Sequence, residues 1–264
     1  MSELRHSMNI HPTAVVSSKA ELGSGVRIGP YSSVGKGVKI GSDTEIAAHV
    51  MIDDDTEIGE RNKIYPFASI GSPPQDIGYK GEETRLIMGN DNLVREYVSM
   101  NRATTKEEWR TVVGNHCYFM AYSHVAHDCR ISDHVILTNG ATLGGHVQIG
   151  EYAILGAFIA AQQFVRIGAH AFVGAMTGVD RDVPPFMITG GGRGKLYGVN
   201  QKGLARRGFS RETIDILKKA YSILWRKNRS FKNGIPQVKK ELDLIPELQL
   251  VLDFIESSKR GVLR

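Results

Sequence analysis

The sequence has only two cysteines, two tryptophans and no long apolar run. Cys117 and Cys129 are too few for a disulfide framework and form no C-x-x-C metal motif, so we expect plain thiols in a reducing compartment. No stretch approaches the roughly 18 apolar residues that a membrane-spanning helix needs. The first ten residues contain no apolar segment behind their charges, unlike a secretory signal. We therefore expect a cytoplasmic protein without stable membrane insertion.

Charge is distributed unevenly along the chain. Residues 190–264 contain 17 Lys and Arg against 7 Asp and Glu, whereas residues 1–189 contain 16 against 21. A mildly acidic body therefore precedes a strongly basic region, which would attract nucleic acid, anionic surfaces, phosphorylated small molecules or acidic proteins. The sequence lacks zinc-finger spacing, RNP-like aromatic motifs and any run of five basic residues. We expect no nucleic-acid partner.

A six-residue repeat is the strongest signal in the sequence. Stepping by six from the tenth residue meets eleven aliphatic residues in succession: Ile10, Val16, Leu22, Ile28, Val34, Ile40, Ile46, Ile52, Ile58, Ile64 and Ile70. Gly often follows the aliphatic residue, and the residue four places after it is usually small or β-branched. The repeat resumes briefly at Met88 and then runs from Val113 to Val179. Such a period is typical of solenoid proteins.

Each hexad predicts a short strand and a turn, and three hexads predict one triangular coil of eighteen residues. The aliphatic residue fills the interior, and Gly allows the corner. Coils stacked at the strand spacing of about 4.8 Å would form a solenoid of roughly nine or ten coils over residues 1–189. The two interruptions, at about 71–87 and 104–112, predict loops that project from the prism, where function commonly resides.

The pattern changes after residue 189. The glycine-rich "GGGRGKLYG" predicts a flexible segment. Ser210 is a good N-cap before apolar residues at helical spacing, and a second amphipathic run begins at Pro246. Residues 190–264 therefore predict a small α-helical domain that caps the end of the solenoid.

The stretch "YSHVAHDCRI" at residues 122–131 places its polar side chains on this prism. Counting by eighteen puts Gly145 and then Gln163 above His127, and puts His146 and then Phe164 above Asp128. His124 lies near the same corner. The count therefore predicts one compact polar patch, made of His124, His127, Asp128, Gly145, His146 and Gln163.

Three interpretations of this patch compete. It could be a solvated face, or a metal site, since histidine is the commonest metal ligand. No third ligand has obvious spacing, so we expect no metal. Acid–base catalysis is favoured: His127 could take a proton from a hydroxyl, and Asp128 could fix its tautomer. Gly145 would offer a backbone N–H to an oxyanion, as acyl transfer requires. Cys129 falls at an inward-facing hexad position, so we expect no covalent role for it.

Several motifs together resemble the UDP-N-acetylglucosamine O-acyltransferase family. They are the hexad run, "HVAHDC", "NQKGLARRGFSRE", "DVPPF", and "QD" in the loop before "GEETR". The resemblance covers residues 8–264. It implies an all-β left-handed parallel β-helix with a small helical domain, a homotrimer, and active sites in clefts between subunits. The implied reaction transfers an (R)-3-hydroxyacyl group from acyl carrier protein to the glucosamine 3-hydroxyl of UDP-GlcNAc, the first step of lipid A synthesis.

The resemblance also implies residue roles. His127 would be the general base of a direct transfer, Asp128 its partner and Gly145 the oxyanion donor. The remaining residues would bind substrate: Gln75, His124, His146, Gln162, Gln163, Arg193, Asn200, Arg206 and Arg207. We expect no cofactor of the protein's own, because the donor carries phosphopantetheine on acyl carrier protein. The basic region suits an acidic carrier and a diphosphate.

The chain departs from the family pattern at four positions. Gln162 and Arg193 stand where the family usually has histidine. Gly78 stands where it often has lysine, with Lys80 a possible substitute. Ala175 stands where a Gly often accommodates the end of the acyl chain, so we expect a shorter preferred chain.

Alternatives follow from these departures and from the fold. The acceptor could be the 3-amino analogue of UDP-GlcNAc. The N-acyltransferase of the same pathway shares the solenoid, but it normally has a globular domain before the repeats. A non-catalytic binding solenoid would leave the clustered histidines without a purpose. Whether Met1 or Met8 is the physiological start stays open.

Overall fold

The computed structural model describes residues 9–264, so the expectations about the first ten residues and the start at Met1 or Met8 lie largely or wholly outside it. Parallel strands form three sheets, and successive strands of one sheet are usually eighteen residues apart, as in the pairs Asn9↔Arg27 and Tyr118↔Ile136. Every coil thus visits all three sheets in turn. The architecture is the predicted left-handed parallel β-helix, which is confirmed.

The sheets are named A, B and C in the order in which the chain reaches them. Sheet A contains Asn9–Ile10, Arg27–Ile28, Glu45–Ile46, Lys63–Ile64, Leu93–Val94, Tyr118–Phe119, Ile136–Leu137, Ile154–Leu155, Phe172–Val173, Met187–Gly190 and Lys195–Val199. Sheet B contains Val15–Val16, Ser33–Val34, Met51–Ile52, Ser69–Ser72, Ser99–Asn101, His124–Val125, Thr142–Leu143, Ala160–Ala161 and Gly178–Val179. Sheet C contains Glu21–Leu22, Lys39–Ile40, Thr56–Ile58, Arg85–Met88, Arg110–Val113, Arg130–Ile131, Gln148–Ile149 and Arg166–Ile167.

The hexad dictates this arrangement. From Ile28 to Val179 the repeated aliphatic residue ends or nearly ends each strand and points into the prism, where it is buried. The small or β-branched residue four places later, such as Val26 or Ala141, is also buried. Burial of apolar side chains contributes about 25 cal/mol per Å², so a continuous aliphatic interior is the main stabilising term.

At the corners the backbone is left-handed. Corner AB, between sheets A and B, has a row of stacked rings: Tyr31, His49, Phe67, Tyr97 and Tyr122. Corner CA has another: His116, His134, Tyr152, His170 and Phe186. Corner BC has Asp128, His146 and Phe164. Positive φ is unfavourable for most side chains, and stacking between coils offsets part of that cost.

Two loops interrupt the coils, at residues 73–84 and 102–109. Each leaves a strand of sheet B and returns to a strand of sheet C, so both project from corner BC. The Lys106 ammonium donates to the Asp76 carboxylate across 2.5 Å and joins the two loops. The corner that carries His127 and Asp128 is therefore the one that the loops cover.

The prism ends in a β-hairpin and four α-helices. Lys195–Val199 pairs antiparallel with Met187–Gly190, so much of the glycine-rich stretch that was expected to be flexible is a strand. The helices are α1, Gln201–Arg206; α2, Arg211–Tyr221, continued by a π-helical turn at Ser222–Lys227; α3, Phe231–Glu241; and α4, Pro246–Glu256. The division of the chain at residue 190 stays a prediction.

The expected helical segments occur where the capping signals place them. Ser210 accepts from the Thr213 N–H at the start of α2, and Pro246 is the first residue of α4. The C-terminal segment returns to the prism, since the Leu263 N–H donates to the Asp182 carbonyl at 2.9 Å. None of the helices within residues 9–264 is long and apolar enough to cross a membrane.

Candidate active site

His127 and Asp128 form a buried hydrogen-bonded pair at corner BC. The imidazole Nδ1 lies 2.8 Å from the Asp128 Oδ2 atom. The left-handed backbone at Asp128, with φ of 60°, turns its carboxylate back toward the preceding ring. The Asp128 N–H donates to Thr111 Oγ1 at 2.8 Å and anchors the turn. The pair has the geometry of an imidazole base with an orienting carboxylate.

Thr104 donates hydrogen bonds to the Asp128 carboxylate from its N–H and its hydroxyl. Its N–H lies 3.2 and 3.1 Å from the two carboxylate oxygens, and its hydroxyl donates to Oδ2 at 2.8 Å. Burial raises the pKa of Asp128, but hydrogen bonds from His127 and Thr104 outweigh it and hold the pKa below its usual value. The carboxylate is therefore ionised at neutral pH.

Gly145 lies against the His127 ring. A Cβ atom at position 145 would lie 2.5 Å from the ring Cε1 and 2.8 Å from Nε2, closer than real side chains approach. Only glycine therefore leaves the ring in its place. The count of eighteen residues brings these two positions together, as the sequence predicts.

His146 lies between two carboxylates. Its Nε2 is 3.7 Å from Asp128 Oδ2, and its Nδ1 is 3.3 Å from Glu107 Oε1. The Glu107 contact has ion-pair distance but not hydrogen-bond geometry, and Nδ1 has no hydrogen-bond partner among residues 9–264. The ring stacks on Phe164 with centroids 4.3 Å apart and meets His127 edge-on. A substrate group could complete the hydrogen bonding of Nδ1.

A metal ion is the other candidate occupant of this corner. His127, Asp128 and His146 offer ligand atoms that all lie within 4.8 Å of one another. Asp128 Oδ2, however, already accepts from His127 Nδ1 and from the Thr104 hydroxyl. A metal would have to displace those donors, so the hydrogen-bonded pair accounts for the arrangement better. The expected lack of a metal stays a prediction.

His124 lies in the strand His124–Val125 of sheet B, which leads directly into corner BC. Its Nδ1 is 2.7 Å from the Ser99 hydroxyl. Burial and the nearby charge of His127 lower the pKa of His124, so its ring is neutral at neutral pH. On the following coils of sheet B, the residues in register with His124 have small side chains or none: Thr142, Ala160 and Gly178. Ala160 and Gly178 line a pocket together with Gln162 and Arg193.

The loop at residues 73–84 carries Gln75, which is exposed. Asp76 beside it is mostly buried, and the Lys106 ammonium and the Gly78 N–H hold its pKa below the usual value. The charge of His127 acts in the same direction, which places Asp76 near His127. The sequence analysis quoted Asp76 within "QD" but gave it no role, and it missed Lys106. Lys106 places an ammonium beside the "QD" pair, and the substitution by Lys80 stays a prediction.

Gln162 and Gln163 are exposed at corner BC, just before Phe164. The Arg260 Nη2 atom donates to Gln162 Oε1 at 2.8 Å, so the C-terminal segment reaches the site. Arg193 lines a pocket with Gln162 and Gly178. The sequence predicted Gln162 and Arg193 separately, and the fold brings them together. The sequence gave no signal for Arg260.

Asn200, Arg206 and Arg207 lie elsewhere, near corner CA. Asn200 caps α1, and its Nδ2 donates to the His170 carbonyl at 3.0 Å. The Arg207 guanidinium lies over the Tyr152 ring, 4.3 Å from its centroid. Arg206 is exposed. Within one chain these residues and His127 flank opposite edges of sheet C.

Both cysteines are buried. Burial raises the pKa of both Cys117 and Cys129 to about 12. The Cys129 thiol donates to the Gly144 carbonyl inside the prism. Both thiols are therefore protonated at neutral pH, and the expectation of no covalent role stays a prediction.

A β-helix of hexapeptide repeats, with a buried histidine–carboxylate pair between projecting loops, defines the class of hexapeptide acyltransferases. The model of the bacterial transferase hexapeptide family matches residues 19–54 and 110–145, and that of UDP-N-acetylglucosamine O-acyltransferase, domain 2, matches residues 182–263.

Comparison with whole proteins gives the particular family. An acyl-[acyl-carrier-protein]–UDP-N-acetylglucosamine O-acyltransferase from Thermodesulfovibrio yellowstonii is 52% identical over 97% of this chain and 99% of its own. The crystal structure of the enzyme from Moraxella catarrhalis is 37% identical and has a TM-score of 0.94, with 97% and 99% covered. The structure from Bacteroides fragilis is 35% identical and has a TM-score of 0.95, with 96% and 99% covered. The chain belongs to the UDP-N-acetylglucosamine O-acyltransferase family, so the resemblance is confirmed.

Proposed function

We propose that this chain transfers an (R)-3-hydroxyacyl group from acyl carrier protein to the glucosamine 3-hydroxyl of UDP-GlcNAc, the first step of lipid A synthesis. The observation that carries the proposal is the His127–Asp128 pair, with Nδ1 and Oδ2 2.8 Å apart beside a glycine. Membership of the family supports the donor and the acceptor, since relatives over nearly the whole chain are named for both.

The proposed chemistry is direct transfer. With Nδ1 held by Asp128, His127 Nε2 takes the proton of the sugar 3-hydroxyl as its oxygen attacks the thioester carbonyl. The Gly145 N–H stabilises the oxyanion of the tetrahedral intermediate. Collapse breaks the carbon–sulfur bond, and the imidazolium returns its proton to the departing pantetheine thiolate. No nucleophile of the protein and no cofactor of its own is required.

We propose that the acyl chain lies along the outward face of sheet B. This face runs from His124 past Thr142, Ala160 and Gly178, whose small size leaves room for an alkyl chain. Ala175 lies at corner AB on the far side of the sheet, 48 residues or about 13 Å along the axis from His127 at the coil spacing. Its methyl group would shorten the preferred chain relative to glycine.

We assign substrate binding to two groups of residues, one around corner BC and one near corner CA. Gln75, His124, His146, Gln162, Gln163 and Arg193 would line the cleft that holds the sugar and the acyl chain. Asn200, Arg206 and Arg207 would bind the nucleotide or the phosphopantetheine of the acidic carrier, which suits their basic region.

A homotrimer is part of the proposal. His127 and Arg207 lie near different corners of one prism, so a cleft formed by two copies could contain both. Neighbouring subunits would then contribute opposite walls of each site. Two unpaired, buried thiols are compatible with the reducing cytoplasm, where we place the reaction.

The test is single-turnover transfer from a panel of 3-hydroxyacyl carrier proteins to UDP-GlcNAc. We expect His127→Ala to lose about 10²-fold or more of the rate, and His134→Ala, a stacked histidine at corner CA, to lose little. Turnover that survives His127→Ala would overturn the assigned base. Absence of wild-type turnover on UDP-GlcNAc, with turnover on its 3-amino analogue, would overturn the acceptor.

A further inference from the structure

The loop at residues 102–109 contacts the charged corner at several points. Thr104 reaches Asp128, Lys106 reaches Asp76, and Glu107 approaches His146. Of these residues Thr104 is buried, whereas Lys106 and Glu107 are exposed. Thr104 also makes the most specific contacts, because both its N–H and its hydroxyl donate to one carboxylate. The interruption of the hexad thus brings a donor into a corner that the regular coil could not supply.

We infer that Thr104 is a positioning residue for catalysis, which acts by orienting the Asp128 carboxylate and by sharing the oxygen that faces His127. The inference rests on the proposed role of His127 as the base. The Thr104 hydroxyl and His127 Nδ1 both lie 2.8 Å from the same atom, Asp128 Oδ2. Charge-assisted hydrogen bonds of this kind are short and strong, and each donor withdraws charge from the oxygen.

Two consequences follow from the shared oxygen. Without the hydroxyl, the carboxylate can rotate and His127 loses its fixed tautomer, which slows proton transfer. The more negative Oδ2 also stabilises the protonated imidazole, and the protonated form cannot act as a base. The acid-side midpoint of the rate profile should therefore move to higher pH.

Other charged groups face the pair and must stay unchanged in the test. Asp128 forms a hydrogen bond with His127, and the His146 ring meets the His127 ring edge-on. The charge of His127 lowers the pKa of both His124 and Asp76. Glu107 approaches the far side of His146. Substitution of Thr104 alters none of these charges. Besides its bond to Asp128 Oδ2, the hydroxyl accepts only a long hydrogen bond from the Lys106 N–H, at 3.3 Å, among residues 9–264, so a shift of the profile reports chiefly the bond to Asp128.

Thr111 supplies a matched control. It is also buried, and it also contacts Asp128, but its hydroxyl accepts from the Asp128 N–H instead of donating to the carboxylate. Val in place of either threonine conserves shape and removes one hydroxyl. A role in folding alone predicts equal effects for the two variants.

The experiment measures kcat, KM for each substrate and the pH dependence of kcat for Thr104→Val, Thr104→Ser, Thr111→Val and His127→Ala. We expect Thr104→Val to lower kcat by about 10- to 30-fold with KM within threefold, and to move the acid-side midpoint up by roughly 0.5 to 1 pH unit. Thr104→Ser, which keeps the hydroxyl, should restore most of both. Thr111→Val should move the midpoint clearly less than Thr104→Val, because the Thr111 hydroxyl holds the Asp128 backbone and does not donate to the carboxylate.

Several outcomes would overturn the inference. One is a Thr104→Val enzyme with normal kcat and midpoint; another is an equal midpoint shift in Thr111→Val. If Thr104→Val does not fold, Thr104→Ala is judged by the same midpoint, and an unshifted value counts against the hydroxyl. An active His127→Ala enzyme would instead refute the proposed base, whatever Thr104 does.

Discussion

His146 at corner BC and His170 at corner CA occupy equivalent positions on different edges of the prism. Both have left-handed backbones, with φ of 62° and 56°, and each ring stacks on a phenylalanine one coil further on. Their other neighbours differ. His146 lies between the carboxylates of Asp128 and Glu107, whereas His170 lies among aromatic rings near the cationic Arg207.

The difference shows what turns a stacked histidine into part of a site. Burial and the charge of Arg207 lower the pKa of His170 to about 4, so its ring is a neutral element of an aromatic row. At corner BC, loop 102–109 and the preceding coil add two carboxylates and the Thr104 hydroxyl donor to the same backbone frame. The repeat supplies the frame at both corners, and the residues that interrupt it supply the chemistry at one.

Removal of the Asp128 carboxylate from corner BC should have the largest effect on kcat. Asp128→Asn keeps the shape but replaces the acceptor of His127 Nδ1 with an uncharged amide. We expect kcat to fall about 10²- to 10⁴-fold, because the base loses its tautomer and its counter-charge. Steady-state kinetics at saturating substrates would measure it. A loss below threefold would mean that corner BC, like corner CA, uses its polar groups for structure alone.

A single methyl group should disturb corner BC strongly. In Gly145→Ala the new Cβ would lie 2.5 Å from His127 Cε1, so the ring must move away. We expect kcat to fall about 10- to 100-fold, since displacement of a catalytic group by about 1 Å can cost 10²-fold. Gly192→Ala is the control, because no heavy atom lies within 4 Å of its added carbon. Equal kcat values for both variants would contradict the positioning of His127 by Gly145.

Much of corner BC could be predicted from the sequence because coils stack in register. Counting eighteen residues places Gly145 over His127, and His146 beside Asp128, and the structure has both contacts. Even the inward orientation of Cys129 follows from its hexad position. A periodic backbone turns spacing along the chain into distance in space, so one strong period specifies the fold and most neighbours at the corners.

The contacts that complete the corner have no such period. Thr104, Asp76 and Lys106 lie in loops, where eighteen-residue counting stops. The hydrogen bond from Arg260 to Gln162 joins residues 98 apart through the C-terminal segment.

The hairpin at Met187–Gly190 and Lys195–Val199 was missed because its glycines suggest flexibility, although the open edge of sheet A offers them backbone partners. α3 was missed because Gly234 and Pro236 interrupt its helical pattern.

The smallest effect on activity is expected at corner CA. His170→Phe keeps an aromatic ring between Tyr152 and Phe186 and leaves the backbone carbonyl that accepts from Asn200. We expect kcat within threefold of wild type, with a modest rise in KM if Arg207 moves. His134→Phe, in the same row of rings, is the control.

The sign of the pH effect on stability distinguishes His170 further. Its folded-state pKa of about 4 lies below the usual 6.5. Between these two pH values the unfolded chain is protonated at His170, whereas the folded chain is not. Stability is therefore fully present above pH 6.5 and is lost as the pH falls toward 4. Phenylalanine cannot bind that proton, so the Tm of His170→Phe should fall less over this window than the Tm of wild type or of His134→Phe. Parallel Tm curves for all three proteins would mean that His170 titrates as freely in the folded chain as in the unfolded one, and the contrast between the two corners would then rest on their carboxylates alone.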